Sequence, residues 1–162
     1  MTDLSFLDHP DTRAFTPGAL PSGGLLEVAR TLDALASQRA GWDAPAMLYG
    51  LAHQAGAQEP SVIAIPVLGD GDQLDLVQAQ AVPANLSALF VRVEGFASLS
   101  DFAGEAREVR ILSGVDRAGE TATVYRDRRT DRQIVDWAST PLSDLLLSKL
   151  SGAPRVANIF GR

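Results

Sequence analysis

Asp43 and His53 are the two side chains best suited to acid–base chemistry in this sequence. A carboxylate that orients an imidazole could serve a hydrolase or a transferase. Together with Trp42 and Tyr49, they could also line a pocket for a small molecule. The alternative is a structural corner, in which Trp42 packs under a helix end and Asp43 accepts hydrogen bonds from turn amides. The sequence favours this structural role, and we predict no catalytic residue.

The motifs that bind metals or nucleotides do not occur in the sequence. It has no cysteine, which excludes disulfides, thiolate zinc sites and cysteine nucleophiles. The acidic turn at 70–75 fails the EF-hand pattern because its twelfth position is Ala81. Neither a Walker loop nor a G-x-S-x-G elbow is present. We therefore expect no metal and no cofactor.

An arginine cluster in the segment RDRRTDR is the most plausible contact surface. Its members are Arg126, Arg128, Arg129 and Arg132. At a hairpin tip, they could contact phosphate groups or the acidic side chains of a partner. The alternative is a solvated turn of alternating charges, which would also protect a sheet edge from aggregation.

Charge is unevenly distributed along the 162 residues, whose net charge is −6. Residues 1–104 carry 12 acids and 4 bases, whereas residues 105–162 carry 8 acids and 10 bases. This separation would suit self-association, with the acidic part of one copy meeting the basic part of another. An acidic chain repels nucleic acid at long range, so we expect no nucleic-acid partner.

The composition is typical of a globular cytoplasmic protein. Apolar residues make up 46% and charged residues 21% of the chain. The first residues do not resemble a signal peptide, and no apolar run is long enough to cross a membrane. All but one of the 14 basic residues are arginine, which indicates a genome rich in GC.

Hydrophobic periodicity predicts a helix at each end and strands between them. A helical stripe covers 24–39, and Thr140 and Pro141 begin a second amphipathic helix over 140–152. Strands are predicted over 46–52, 61–69 and 88–96, and a three-stranded meander over 107–137. Pro66 indicates an edge strand or a bulge. A short helix or irregular connection is expected over 73–87, and a helix over 83–94 competes with the strand at 88–96.

This order predicts an α+β fold with one domain at 22–152, an extended N-terminal arm at 1–21 and a tail at 153–162. Local connections favour a mostly antiparallel sheet of about five to six strands. The economical arrangement places both amphipathic helices on one face of the sheet. Profilin-like and PAS-like domains share this layout, which by itself carries no function.

The segment GWDAPAMLYGL at 41–51 resembles a short signature of uncharacterised actinobacterial proteins. In that signature, Gly-Trp-Asp follows an amphipathic helix and precedes prolines and a Leu-Tyr-x-Leu or Leu-Phe-x-Leu run. The matching residues are Gly41, Trp42, Asp43, Pro45, Leu48, Tyr49 and Leu51. The signature has two adjacent prolines, whereas Pro45 stands here between alanines. The resemblance implies no activity, and it agrees with a GC-rich genome.

Two functions follow from these patterns. The first is a non-enzymatic protein-interaction or assembly module, in which the arginine cluster contacts a protein partner or a second copy. The second is a small-molecule-binding or sensory domain, with a pocket near Trp42 and Tyr49. No membrane partner is expected for either function.

Overall fold

Three α-helices and six strands make up the part of the chain that the computed structural model describes, which is residues 24–52, 61–136 and 140–152. The helices are α1 (Gly24–Arg39), α2 (Gln73–Ala79) and α3 (Pro141–Gly152). The strands are β1 (Met47–Ala52), β2 (Ser61–Pro66), β3 (Leu86–Ala97), β4 (Arg107–Asp116), β5 (Thr121–Asp127) and β6 (Gln133–Asp136). The predicted arm, the tail and His53 lie outside the described residues.

One six-stranded sheet of order β2-β1-β3-β4-β5-β6 organises these elements. Every neighbouring pair is antiparallel. The predicted α+β fold with an antiparallel sheet is therefore confirmed, as is the meander of β4, β5 and β6. Residues 88–96 form a strand rather than the competing helix, and β2 with its Pro66 lies at an edge as predicted.

The two terminal helices lie on opposite faces of the sheet, so the prediction that both cover one face is wrong. Apolar residues of α1 share a buried cluster with Tyr49, Phe90 and Leu112. Apolar residues of α3 pack instead with Leu48 and Leu89. Adjacent strand residues point to opposite faces, so these two clusters lie on the two sides of the sheet. The physical reason is that both faces are apolar, and each one needs a helix to exclude water.

Gly114 on β4 makes room for the α1 face of the core. It lies opposite Phe90 of β3, which is fully buried. A Cβ atom at position 114 would lie 2.2 Å from Cδ2 of Phe90, a distance that no packed pair tolerates. The absence of a side chain at Gly114 therefore positions the Phe90 ring beneath α1.

The opposite face is closed by α3 together with the short helix α2. Lys149 of α3 donates hydrogen bonds from Nζ to the carbonyl oxygens of Gln78 and Gln80 at the end of α2. Burial lowers the pKa of this lysine. Among the described residues, no helix has both the length and the apolar character needed to cross a membrane.

Candidate functional site

One end of the sheet, where β1 and β4 begin and β3 and β5 end, is rich in charged side chains. Most of the side chains that could bind a ligand or take part in a reaction lie there. The turn between α1 and β1 crosses this end. Gly41 and Asp43 have positive φ angles of 67° and 64°, which allow the chain to reverse direction after the helix. The structure therefore places Trp42 and Asp43 in a tight corner, as predicted, but the prediction that Asp43 accepts hydrogen bonds from turn amides is wrong, because its carboxylate binds Arg128.

Trp42 contacts two guanidinium groups. The Cζ atoms of Arg110 and Arg128 lie 4.6 and 5.2 Å from the centre of its rings. Such contacts fix the planes of the aromatic and cationic groups relative to each other. The indole is half-buried, so it serves to connect the turn to β4 and to the end of β5.

Asp43 forms a bidentate ion pair with Arg128, at 2.9 and 3.0 Å. Arg128 also donates a hydrogen bond to Glu108 Oε2 at 2.8 Å. The hydrogen bonds from Arg128 lower the pKa of Asp43, and both acids raise the pKa of Arg128. Asp43 therefore binds a guanidinium group rather than turn amides, and Arg128 is held in one orientation.

Glu94 of β3 performs the amide-binding role that the sequence analysis gave to Asp43. Its carboxylate accepts hydrogen bonds from the backbone N–H groups of Asp43 and Ala44, at 2.9 and 3.1 Å. It also lies 3.7 Å from a terminal nitrogen of Arg110. The sequence carried a signal for this role, because Glu94 shares a strand face with buried Phe90.

Asp43, Glu94 and Glu108 together have the donor set of a cation site, with ligand oxygens within 4.8 Å of one another. Arg128 already neutralises Asp43 and Glu108, and Glu94 is engaged with backbone amides. A metal ion would have to displace these partners and tolerate the nearby guanidinium charge. We therefore assign the trio to an ion-pair network.

Two arginines are fully buried behind this network. Arg110 donates hydrogen bonds to Ser37 Oγ, at 2.7 Å, and to the Gly41 carbonyl, and burial lowers its pKa. Arg92 donates a hydrogen bond to the hydroxyl of Tyr49 at 3.3 Å. Tyr49 is 1% exposed, and burial raises its pKa. Tyr49 is thus part of the core beneath α1 rather than the lining of an open pocket.

The four arginines predicted to form a contact surface separate into two pairs. Arg126 is buried against Asp33 of α1 at 2.8 Å, and Arg128 is held by the turn, so both have structural partners. The side chain of Arg129 is 66% exposed and pairs with exposed Glu105 at 3.2 Å, and its backbone N–H donates a hydrogen bond to Asp127. Arg132 is exposed. Only Arg129 and Arg132 remain available to a partner.

Phe96 is the apolar residue of this end that the sequence analysis missed. It lies near the end of β3, opposite Glu108 of β4, and is 75% exposed. Beside it runs a shallow groove of about 310 Å³. The groove is lined by Phe96, Ala106, Arg107, Glu108, Asp127, Arg128 and Arg129. The signal in the sequence was an aromatic residue that continues the strand face of Arg92 and Glu94 beyond the reach of α1.

A second shallow cavity of about 400 Å³ lies on the other side of the turn. Asp43 and Glu94 contribute to its wall, next to Pro45, Val67 and Leu76. Both of these acids already have hydrogen-bond donors from the protein itself. Of the residues predicted to form a pocket, Asp43 lines this cavity and Tyr49 lies in the core. His53 lies outside the described residues, so the predicted pocket stays a prediction.

No protein-family model, curated protein or solved structure gives a significant match to the chain. The resemblance of residues 41–51 to actinobacterial proteins stays a prediction.

Proposed function

We propose that this domain is a non-enzymatic protein-interaction module whose contact surface is the Phe96 groove defined above. The observation that carries this proposal is the exposure of Phe96. Tyr49, Phe90, Phe102 and Tyr125 are all buried, and Phe96 is the exposed aromatic residue among the described part of the chain. A single exposed apolar residue is common on protein surfaces, but the Phe96 ring lines a groove together with three arginines, Arg107, Arg128 and Arg129. Aromatic and arginine side chains are the types enriched at protein interfaces.

The groove also has the rigidity that favours binding. Arg128 is fixed by Asp43, Glu108 and Trp42. Arg107 is fixed by a 2.9 Å ion pair with buried Asp127. A preorganised surface loses little side-chain entropy on binding. Aromatic and arginine residues together dominate the binding energy of many interfaces.

The chemistry of the groove indicates the kind of partner. Phe96 would contact an apolar side chain, and exposed Arg129 would pair with a carboxylate in place of Glu105. We therefore propose a protein segment in which an apolar residue lies close to an acidic one. A small-molecule role has less support, because the described cavities are shallow and their acids are already paired.

The test is affinity capture from the native host with the natural chain, a Phe96→Ala variant and an Arg129→Ala variant. We expect both variants to lose at least about 80% of the captured partner, which corresponds to roughly 1 kcal/mol at the centre of an interface. The matched control is Glu120→Ala, on the turn between β4 and β5 at the other end of the sheet. Equal capture by all four proteins would contradict the proposal.

A further inference from the structure

The edge of the sheet formed by β2 is a surface to which the proposed function assigns no role. Within the described residues, β2 pairs with β1 and has no neighbour on its other side. Natural proteins protect such edges with charged side chains, bulges or covering elements, because an open edge pairs with other strands. Here residues 60–69 contain no charged residue at all. Ile63, Ala64 and Ile65 are half-buried, and Leu68 is 74% exposed.

The direction of the backbone groups follows from the ladder. The backbone N–H of Val67 donates a hydrogen bond to the Ala46 carbonyl at 3.2 Å, so the backbone polar groups of Val67 point toward β1. Backbone groups alternate along a strand, so those of Val62, Ala64 and Pro66 point away from β1. Pro66 has no N–H to lose there, which explains why proline is tolerated. The outward donors and acceptors therefore belong to Val62, which is 7% exposed, and to half-buried Ala64.

We propose that β2 pairs with β2 of a second copy of this chain, in antiparallel orientation about a two-fold axis. An antiparallel pair of identical strands satisfies both edges at once and closes the assembly as a dimer. If the axis passes Ile63 or Ala64, four hydrogen bonds form between the copies. In either register, isoleucines meet across the axis on the α3 face: Ile63 meets Ile63, or Ile63 meets Ile65.

Pairing β2 with β2 of a second copy is more favourable than pairing β2 with β6, the opposite edge of the sheet, of a second copy. Strand β6 has four residues and carries Asp136, so a head-to-tail contact between β2 and β6 would bring a charge to the apolar edge. Such a contact would also leave free edges and extend into open filaments. Moreover, residues 60–69 contain no charged side chain, so pairing two β2 strands places no like charges opposite each other within that stretch. This inference does not depend on the Phe96 groove.

The absence of cysteine allows a direct test by disulfide cross-linking of the full chain. Directly opposed residues of an antiparallel pair have Cα atoms about 4.5–5.5 Å apart, which is within the range of a disulfide. Ile63→Cys and Ala64→Cys variants report the two registers, and exposed Ala118→Cys is the control. We expect one of the two edge variants to form a covalent dimer under mild oxidation. Cross-linking at both edge positions no greater than at position 118, in folded protein, would overturn the proposal.

Ala64→Pro gives a second, independent measurement. The change removes an outward donor and leaves the ladder between β1 and β2 intact, whereas Ala64→Ser keeps the donor. By light scattering at about 100 µM, we expect the natural chain and Ala64→Ser to exceed the 17.2 kDa monomer mass and to approach twice that value. Ala64→Pro should stay monomeric, and at a concentration low enough to dissociate the dimer its thermal transition should match that of the natural chain. A monomeric natural chain would refute the dimer, and Phe96→Ala should leave the mass of the dimer unchanged.

Discussion

Arg126 of β5 and Asp33 of α1 lie 93 positions apart in the sequence, and their side chains meet at 2.8 Å beneath the helix. Asp33 is fully buried, and Arg126 is 9% exposed. Gln133 of β6 donates a further hydrogen bond to the same carboxylate oxygen at 2.9 Å. The pair therefore fixes the position of α1 along the sheet, and it removes Arg126 from any contact surface.

Breaking this pair should destabilise the domain strongly. Asp33→Ala removes the buried carboxylate and leaves Arg126 with its contacts to Asp131 alone. We therefore expect a loss of about 3 kcal/mol in the free energy of unfolding, at the lower end of the range for a broken buried pair. Replacing both partners with Asp33→Leu and Arg126→Met should be less damaging than either single change, since no buried charge is left alone. Urea denaturation measures all three variants. A loss below about 0.5 kcal/mol in Asp33→Ala would show that the pair does not hold α1.

Acid should weaken the charged end of the sheet. Hydrogen bonds from Arg128 keep the pKa of Asp43 below its ordinary value of 3.8. A carboxylate with a lowered pKa in the folded state stabilises that state above its unfolded pKa, and this contribution disappears as the pH falls through the folded pKa. The Asp43→Asn variant should therefore be less stable than the natural chain at about pH 7, with the difference closing as the pH falls below the ordinary aspartate pKa of 3.8 and through the lowered folded-state pKa.

Urea midpoints measured across this range of pH test the prediction. Glu120→Gln is the control for removing an exposed carboxylate at the other end of the sheet. A constant difference between Asp43→Asn and the natural chain at every pH would contradict the assigned ion pair.

Two glycines in neighbouring strands should respond differently to alanine. Gly114→Ala places a methyl group against the buried ring of Phe90, so we expect a loss of about 1–3 kcal/mol or more. Gly95→Ala meets no atom within 4 Å and should be neutral or slightly stabilising. Thermal denaturation distinguishes the two. Equal melting temperatures would mean that Gly114 does not position Phe90.

Alanine substitutions of two phenylalanines of β3 should differ in their effect on the free energy of unfolding. Phe90→Ala empties a fully buried site and should cost about 3–5 kcal/mol. Phe96→Ala removes a ring that is 75% exposed, so its stability should stay within about 0.5 kcal/mol of the natural chain. A large loss of stability in Phe96→Ala would mean that the ring is part of the fold.

Periodicity predicted the elements because local spacing dictates them. The stripe of α1 and the alternation of β3 both appear in the structure. The position of α1 was not predictable in the same way, because it depends on which face of the sheet accepts the helix. Asp33 carried a usable signal, since it lies within the apolar stripe of α1 and an acid buried there requires a cation.

The arginine cluster illustrates the same limit. A charged run at the end of a strand indicates an exposed turn, yet strand alternation turns Arg126 inward toward α1 while Arg129 stays in solvent. Only the three-dimensional partners distinguish a structural arginine from an available one. Phe96 was missed because its exposure depends on where α1 ends over the sheet.

Site-specific photo-cross-linking at position 96 shows whether the Phe96 groove contacts a protein partner. A photoreactive phenylalanine analogue replaces Phe96 in one protein and Glu120 in a matched control, and both are irradiated in the native host. We expect one discrete cross-linked partner at position 96, none at position 120, and loss of that product when Arg129→Ala is added. Identical cross-linking patterns at the two positions would contradict this contact.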